Sequence, residues 1–457
     1  MSENKIMRRK TRPVMVGNIA IGGNNPIRIQ SMTNTHTHDV NATTEQIIRL
    51  YETGCEIVRV TVQGQREVRA CEAIRNNLLK RNYNIPLVAD IHFSPDIAFD
   101  VADFVDKIRI NPGNYADPRA TFKEITEHSP HDLEKIEERL VPLIEKCQRL
   151  KRSIRIGVNH GSLSDRIMSQ YGNTPLGMVH SAMEFAQIFR KHDFHEFLFS
   201  IKASNPIIMV ESYRQLISKM DENKWNYPLH LGVTEAGEGE DGRIRSAMGT
   251  GALLLDGIGD TIRVSLTEDP CNEIKPCRQI ISIASDYQPK KEALYKYRQH
   301  PSELLKLKYN IPFEDMLIRS SMECGALFFN GIGEDVSIEA PYDQKLLENL
   351  RLSILQAARK KISKTEFISC PGCGRTLFDL QGMTKLVKKR LAGLPGLKIA
   401  IMGCIVNGPG EMADADYGFI GAGHNKVNLY AGQECIARGL DINSAINQLL
   451  KIIKQKE

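Results

Sequence analysis

The sequence predicts an α/β protein, a (β/α)8 barrel followed by a small α+β domain, with a partial barrel-like insertion between them. Three observations carry this reading. Eight short β-branched runs alternate with amphipathic stretches between residues 26 and 267. Nearly every run ends in a polar or charged side chain. Near Thr365 the composition shifts, and the residues that follow hold cysteines in turn-forming surroundings. The expected divisions are therefore 1–267, 268–364 and 365–457.

The runs are PIRIQSMT from Pro26, IVRVTV from Ile57, PLVADIH from Pro86 and KIRIN from Lys107, then IRIGVN from Ile154, FLFSIKAS from Phe197, PLHLGVTEA from Pro228 and DTIRVSLT from Asp260. Segments such as TTEQIIRLYETG and PLGMVHSAMEFAQIFRKH separate them. Strand–helix alternation builds a parallel sheet, and eight repeats is the number that closes a barrel. A doubly wound open sheet is the competing architecture. It would carry a glycine-rich fingerprint after its first strand, and this chain has none.

The run ends hold Arg59 and Thr61, Asp90 and His92, Arg109 and Asn111, Arg155, Asn159 and His160, Lys202 and Ser204, Glu235, and Arg263 and Ser265. In a barrel these ends meet at one mouth, where active sites are built. A single arginine there reads as readily as a solvated surface residue. Five cations at equivalent positions would repel one another unless a polyanion lies among them. Guanidinium forks match phosphate oxygens, so the expected substrate is a small phosphorylated or diphosphorylated molecule. Glu235, in the glycine-rich GVTEAGEGEDG, is placed to act as general acid or base, with a structural ion pair as the alternative. His36 and His38 would begin a hydrolase metal site only if the last strand supplied Asp. It offers Arg263 and Ser265 instead, so the two histidines read as structural or surface groups.

Lys+Arg 60 against Asp+Glu 55 gives a formal charge of +5, small for 457 residues, and no nucleic-acid partner is expected. The basic start MSENKIMRRKTRPVM precedes no apolar core of a secretory signal, and no run is long and apolar enough for a membrane span. Ten cysteines without a signal point to a reducing compartment, and hence to a soluble, cytoplasmic chain whose clustered cysteines serve metal or catalysis.

Cys370 and Cys373 form a Cys-x-x-Cys turn with Pro371, Gly372 and Gly374. Cys404 follows the apolar KIAIMG and opens a loop containing Asn407, Gly408, Pro409 and Gly410. The next cysteine, Cys435, lies in GQECIARGL, which reads as helical. Three thiolates fall short of the four N/S ligands of a zinc knuckle. They suit an iron–sulfur cluster with one iron left open or bound to oxygen, and Glu411, directly after NGPG, is the oxygen ligand of choice. Zinc and disulfide exchange by the CPGC pair stay open as alternatives.

The conjunction of QSMTNT, VRVTVQ, VADIHF, RINPGN, RIGVNHGSL, KAS, HLGVTEAG, GDTIRVSL, CPGCGRT and GCIVNGPGE resembles the 4-hydroxy-3-methylbut-2-enyl diphosphate synthase family, reductive enzymes of non-mevalonate isoprenoid synthesis. The resemblance covers nearly all of residues 10–267 and 365–430. SDRIMSQYGNTPLGMV, WNYPLHLGVTEAGEGEDGR and NGPGEMADADYGF resemble its long plant- and chlamydia-type branch. The resemblance implies a 4Fe-4S cluster on Cys370, Cys373, Cys404 and Glu411, supplied with electrons by ferredoxin or flavodoxin. It implies that Arg59, Arg109, Arg155, Lys202, Arg263 and Ser265 hold a diphosphate, that Asn159 and His160 line the pocket, and that Asn407 reaches the substrate from the cluster side. Glu235 and Glu411 are the implied catalytic groups, Glu235 as the proton carrier. A homodimer is implied as well, the cluster domain of one subunit covering the barrel mouth of the other.

The insertion holds an internal echo. IRSAMGTGALLLDGIGDTIRVSL from Ile244 aligns without a gap with IRSSMECGALFFNGIGEDVSIEA from Ile318, an offset of 74. We read it as a duplicated last barrel unit. Its functional positions do not recur: Arg263 corresponds to Ser337 and Ser265 to Glu339, so the second copy is expected to be structural. A piece this short cannot close a barrel and must pack on a neighbour. Cys271 and Cys277, at its start, read as free thiols.

Overall fold

The computed structural model describes residues 7–91, 94–115, 131–287, 304–405, 408–412 and 414–455. Its first element is a hairpin of β1 (Val14–Val16) and β2 (Ile19–Ile21). Val14, Val16 and Ile21 pack with Ile57, Val88 and Leu198, which stand at or near the starts of three barrel strands, so the hairpin plugs the N-terminal end of the barrel. The sequence reading passed over it, because strands of three residues next to a basic tail show too short an alternation to stand out.

Eight strands follow: β3 (Arg28–Met32), β4 (Ile57–Thr61), β5 (Leu87–Asp90), β6 (Lys107–Ile110), β7 (Ser153–Asn159), β8 (Phe197–Lys202), β9 (His230–Leu231) and β10 (Thr261–Ile262). They are hydrogen-bonded in the order β8-β7-β6-β5-β4-β3-β10-β9, and a parallel bridge between Phe199 and Leu229 closes the ring. The expected barrel is therefore present, with all eight runs as strands. The register sets Thr61, Asp90, Arg109 and Arg155 in one row across β4 to β7, and Asn159 opposite Lys202. Local chemistry ends the intervening helices where the sequence changes character. Asp39 caps Val40–Thr53 by accepting from the Ala42 N–H (3.0 Å), and Gly54, at φ +106°, turns the chain out of it.

The helix Ile274–Asp286 packs on the barrel helix Gly239–Leu255 and on β3, which gives the eighth strand its covering helix. Beyond it β11 (Leu305–Lys308) pairs in parallel with β12 (Val336–Glu339), joined by the helix Phe313–Phe328 and followed by the helix Gln344–Ala357. Phe313–Phe328 begins 74 residues after Gly239–Leu255, the offset of the sequence echo, and the two helices pack on each other. Their crossing is reciprocal. A Cβ on Gly251 would lie 2.2 Å from Met322 Cγ, and one on Gly325 would lie 2.6 Å from Met248 O. Equivalent glycines thus make room for equivalent methionines.

The C-terminal sheet runs β13 (Glu366–Ser369), β14 (Lys398–Met402), β15 (Tyr417–Gly423), β16 (Lys426–Ala431) and β17 (Glu434–Leu440) in that order, parallel at first and antiparallel from β15 on. Strand alternation divides its side chains between two cores. Ile399, Ile401 and Phe419 face the helices Leu380–Leu391 and Ile442–Lys454, while Ile368, Ala400, Met402 and Ile420 form a second cluster on the other face. Cys435 lies in β17 and not in a helix, a correction to the sequence reading: the turn after Ala431 folds the chain back on β16 and sets Cys435 opposite Tyr430. Among the described residues no helix is long and apolar enough to cross a membrane.

Candidate active site at the barrel mouth

The C-terminal sheet covers the mouth of its own chain's barrel. Ala236, past the end of β9, makes a parallel bridge with Ser369 at the end of β13. Arg245 donates to Ala236 O (3.2 Å) and to Phe367 O (2.7 Å), and Thr267 Oγ1 donates to Cys370 O (3.0 Å). Further round the mouth, His36 Nδ1 lies 2.8 Å from Gly374 O and Arg375 reaches Asp90. Beyond β7, Gly161 and Gly410 cross so closely that a Cβ on either would fall about 2 Å from the other's carbonyl oxygen, at 2.0 and 1.9 Å. Only glycine tolerates such an approach. His36, read from sequence as structural, is in fact one of the cap's anchors.

Between barrel and cap lies a cavity with about 660 Å³ of atom-free space, part of it open to solvent. From the barrel Arg59, Arg109, Asn159, Lys202, Glu235, Arg263 and Ser265 line it. From the cap come Cys370, Cys373 and Cys404. Ten of the residues singled out from sequence are thus brought together. Arg155 is fully buried in β7 opposite Arg109, off the cavity wall, and its Nε, Nη1 and Nη2 have no hydrogen-bond partner among the described residues. His160 turns its ring to Asn173 O (3.1 Å) and contributes nothing to the wall. Asn407, His92 and the side chain of Glu411 lie outside the described residues.

The site is crowded with positive charge. Burial, and then the charges of Arg59, Arg155, Arg263 and Arg109, holds Lys202 well below the usual lysine range. Burial with Arg59 and Arg109 does the same to Arg155, and burial brings Arg59 down to about 10 against the opposing pull of Asp90. Asp90 is shared by Arg109 (3.2 Å), Arg375 (3.4 Å) and Arg59 (3.8 Å). Arg263 differs: burial opposes its charge, but Glu273 grips it at 3.0 Å from both oxygens and the net shift is upward. A buried cluster of cations facing one cavity fits a multiply charged anion.

Glu235 is 4% exposed and sits at φ +49°, a strained conformation for a residue with a Cβ. Thr234 Oγ1 donates to its Oε1 at 2.6 Å. Burial, with the Glu235 carboxylate adding to it, pushes the Cys370 thiol up to about 12, although the Gly403 N–H donates to its sulfur. Cys373 is held well below the usual thiol range by a hydrogen bond from Cys404 and by the Arg375 guanidinium, and Cys404 rises in response. Among the described residues no three His, Cys, Asp or Glu side chains surround a single-ion position. Cys370, Cys373 and Cys404 share one cavity wall, three sulfurs that could hold an iron–sulfur group.

Residues 11–278 match the family model of the GcpE TIM-barrel domain, and residues 366–455 that of the GcpE protein C-terminal domain. The chain is 44% identical to the 4-hydroxy-3-methylbut-2-en-1-yl diphosphate synthase (flavodoxin) of Protochlamydia amoebophila, an alignment of 627 residues spanning 98% of this chain and 96% of that protein. The chain belongs to the GcpE family. Other relatives are named for the same synthase. One is the chloroplastic ferredoxin-dependent protein of Arabidopsis thaliana, 37% identical over 99% of this chain and 88% of its own length. Another is the flavodoxin-dependent protein of Chlamydia muridarum, 39% identical over 98% and 97%. Since this chain has 457 residues, at least 170 of the 627 aligned positions in the first comparison have no counterpart here (627 less 457). This GcpE chain thus lacks much of what its long relatives carry.

Sequence reasoning missed two groups of the GcpE site. Glu273, 1% exposed, lies beyond the last strand in a stretch read as insertion, and only its burial against Arg263 and Ser31 reveals it. Arg375 stood in view within CPGCGRT, but nothing in the spacing says that it crosses to the barrel.

Proposed function

We propose that the chain catalyses the reductive opening and dehydration of 2-C-methyl-D-erythritol 2,4-cyclodiphosphate to 4-hydroxy-3-methylbut-2-enyl diphosphate, with flavodoxin or ferredoxin as electron donor. One observation carries the reading: the cations of the barrel and the three thiols of the cap line a single cavity. We assign the substrate to residues 1–267, a 4Fe-4S cluster to 365–457, held by Cys370, Cys373, Cys404 and Glu411, and a structural role to 268–364. When bound, the cluster supplies the electrons.

The chain's own residues do the rest. Arg59, Arg109, Lys202, Arg263 and Ser265 bind the diphosphate from the wall, and Arg155 adds positive charge from beneath. Asn159 accepts from Arg109 Nη2 at 2.7 Å and so aims that fork. The net change takes up two electrons and two protons and releases water, and Glu235 delivers one proton to the departing hydroxyl. His160 holds the loop at Asn173, and we place Asn407 on the cap side of the substrate. The cap narrows the access of water to the cations it covers. The homodimer implied by the resemblance has the cap of one subunit over the mouth of the other; in this chain the cap lies over the mouth of its own barrel. We infer a reducing compartment, the cytoplasm, a reading that the unbridged cysteines support.

The test is anaerobic purification, iron and sulfide analysis, and electron paramagnetic resonance of the dithionite-reduced protein with and without the cyclic diphosphate. A four-iron signal that changes on adding substrate is expected. Protein that holds no iron under strict anaerobiosis would overturn the reading.

A further inference from the structure

We infer that Arg375 is a positioning residue that sets the reduction potential of the cap's cluster from the barrel side, through a sulfur–guanidinium–carboxylate chain of Cys373, Arg375 and Asp90. The inference rests on the cluster assignment proposed above.

Gly372, at φ +76°, starts the turn that carries Arg375 back over the preceding cysteine, and the Thr376 N–H closes it on Cys373 O at 2.9 Å. The guanidinium then lies between two domains with 7% of its side chain exposed. Nη1 is 3.6 Å from Cys373 Sγ and 3.4 Å from Asp90 Oδ2, while Nη2 is 3.2 Å from Asp90 O. Asp90, at the end of β5, has 4% of its side chain exposed, so neither charge is well screened by water. Hydrogen bonds and positive charge at a ligand sulfur stabilise the more negative, reduced cluster, and so raise its potential. A carboxylate at the far side of the same guanidinium works in the opposite sense. Arg375 and Asp90 therefore form one ion pair whose halves act on the potential with opposite signs.

That opposition separates tuning from mere support. Holoprotein carrying Arg375→Met, Arg375→Lys or Asp90→Asn is checked for iron and sulfide, and its midpoint potential is measured from the reduced-cluster signal at a series of applied potentials, without substrate. Arg375→Met is expected to move the potential down, by a tenfold change in the reduction equilibrium or about 59 mV for one electron. Arg375→Lys keeps the charge without the fork and should move it down less. Asp90→Asn should move it up. If Arg375→Met does not retain iron, the signs are compared between the lysine and asparagine variants. Shifts of the same sign in both partners, which loss of a structural ion pair would give, overturn the inference. So does an unmoved potential with weakened substrate binding, which would make Arg375 a substrate ligand instead. Absence of iron from the unsubstituted protein defeats the cluster reading itself; iron present with potentials unmoved defeats only this inference.

Discussion

The two copies of the repeat, Ile244–Leu266 and Ile318–Ala340, share their helix, its glycine and methionine crossing, and the strand that follows. They differ where the strand ends. In the first copy Arg263 is 2% exposed, bound to Glu273 and turned into the cavity. In the second, the equivalent of Ser265 is Glu339, its side chain 65% exposed, 3.6 Å from Lys308. The first strand completes a ring between β9 and β3, whereas the second has only β11 beside it. Packing positions and functional positions of one βα unit are thus separable. The residues between helices are kept by close packing, while those at the strand's end have work only if a mouth exists for them to face.

The strongest way to break this comparison is to exchange the strand ends. Arg263→Met removes a proposed diphosphate ligand and leaves Glu273 buried without its counterion. The expected cost is about 3–5 kcal/mol in denaturant unfolding, with turnover about 10²–10³-fold lower. Ser337→Arg, which restores the first copy's residue in the second, should leave turnover and substrate KM unchanged. A changed KM would show that the second copy still communicates with the site.

Next comes the helix crossing, where apparent symmetry hides a difference. Alanine at 325 would meet the backbone oxygen of Met248, which cannot yield, and should cost about 1–3 kcal/mol. Alanine at 251 would meet only side-chain atoms of Met322. A double-mutant cycle of Gly251→Ala with Met322→Ala should therefore show favourable coupling of at least about 0.5 kcal/mol, and the reciprocal cycle of Gly325→Ala with Met248→Ala distinctly less. Equal couplings would mean that the crossing relaxes as a true two-fold.

Crowding at the first copy's mouth also has a pH signature. Burial and neighbouring cations, Arg263 among them, depress Lys202. A bound diphosphate restores its charge, so binding takes up a proton. Affinity is then highest below the depressed pKa and falls as pH rises from there towards the ordinary lysine range, by up to about tenfold per pH unit for one proton. Calorimetry with inorganic pyrophosphate in buffers of different ionisation enthalpy measures the uptake. Arg263→Met should reduce it, whereas Ser337→Arg should not.

The barrel was legible because its strands are β-branched, evenly spaced and each closed by a polar residue, and the cysteine loop on the cavity wall because cysteines in a Pro-Gly turn are a local signal. What escaped is non-local. Glu273 becomes a site residue only when the helix Ile274–Asp286 folds back on β3, and His36 an anchor only when Gly374 arrives from more than three hundred residues away. Cys435 was placed in a helix because GQECIARGL has no strong period, and pairing with β16 decided its state. Arg155 was expected on the wall, yet the row it shares with Arg109 leaves it buried beneath.

The smallest effect expected is the sharpest check on the second copy. Lys308 and Glu339 have side chains 84% and 65% exposed, and their separation of 3.6 Å is that of a surface pair. Water and salt screen such a pair, and ordering two long side chains offsets most of its attraction, so Glu339→Gln should change stability by no more than about 1 kcal/mol. Raising ionic strength should shrink even that difference. Turnover should not move, because the equivalent of Ser265 here faces solvent beside a two-stranded sheet and not a cavity. A fall in turnover with stability intact would mean that the exposed edge of β12 meets something during the reaction, and the separation of packing from function in this repeat would then fail at the position where it is drawn most clearly.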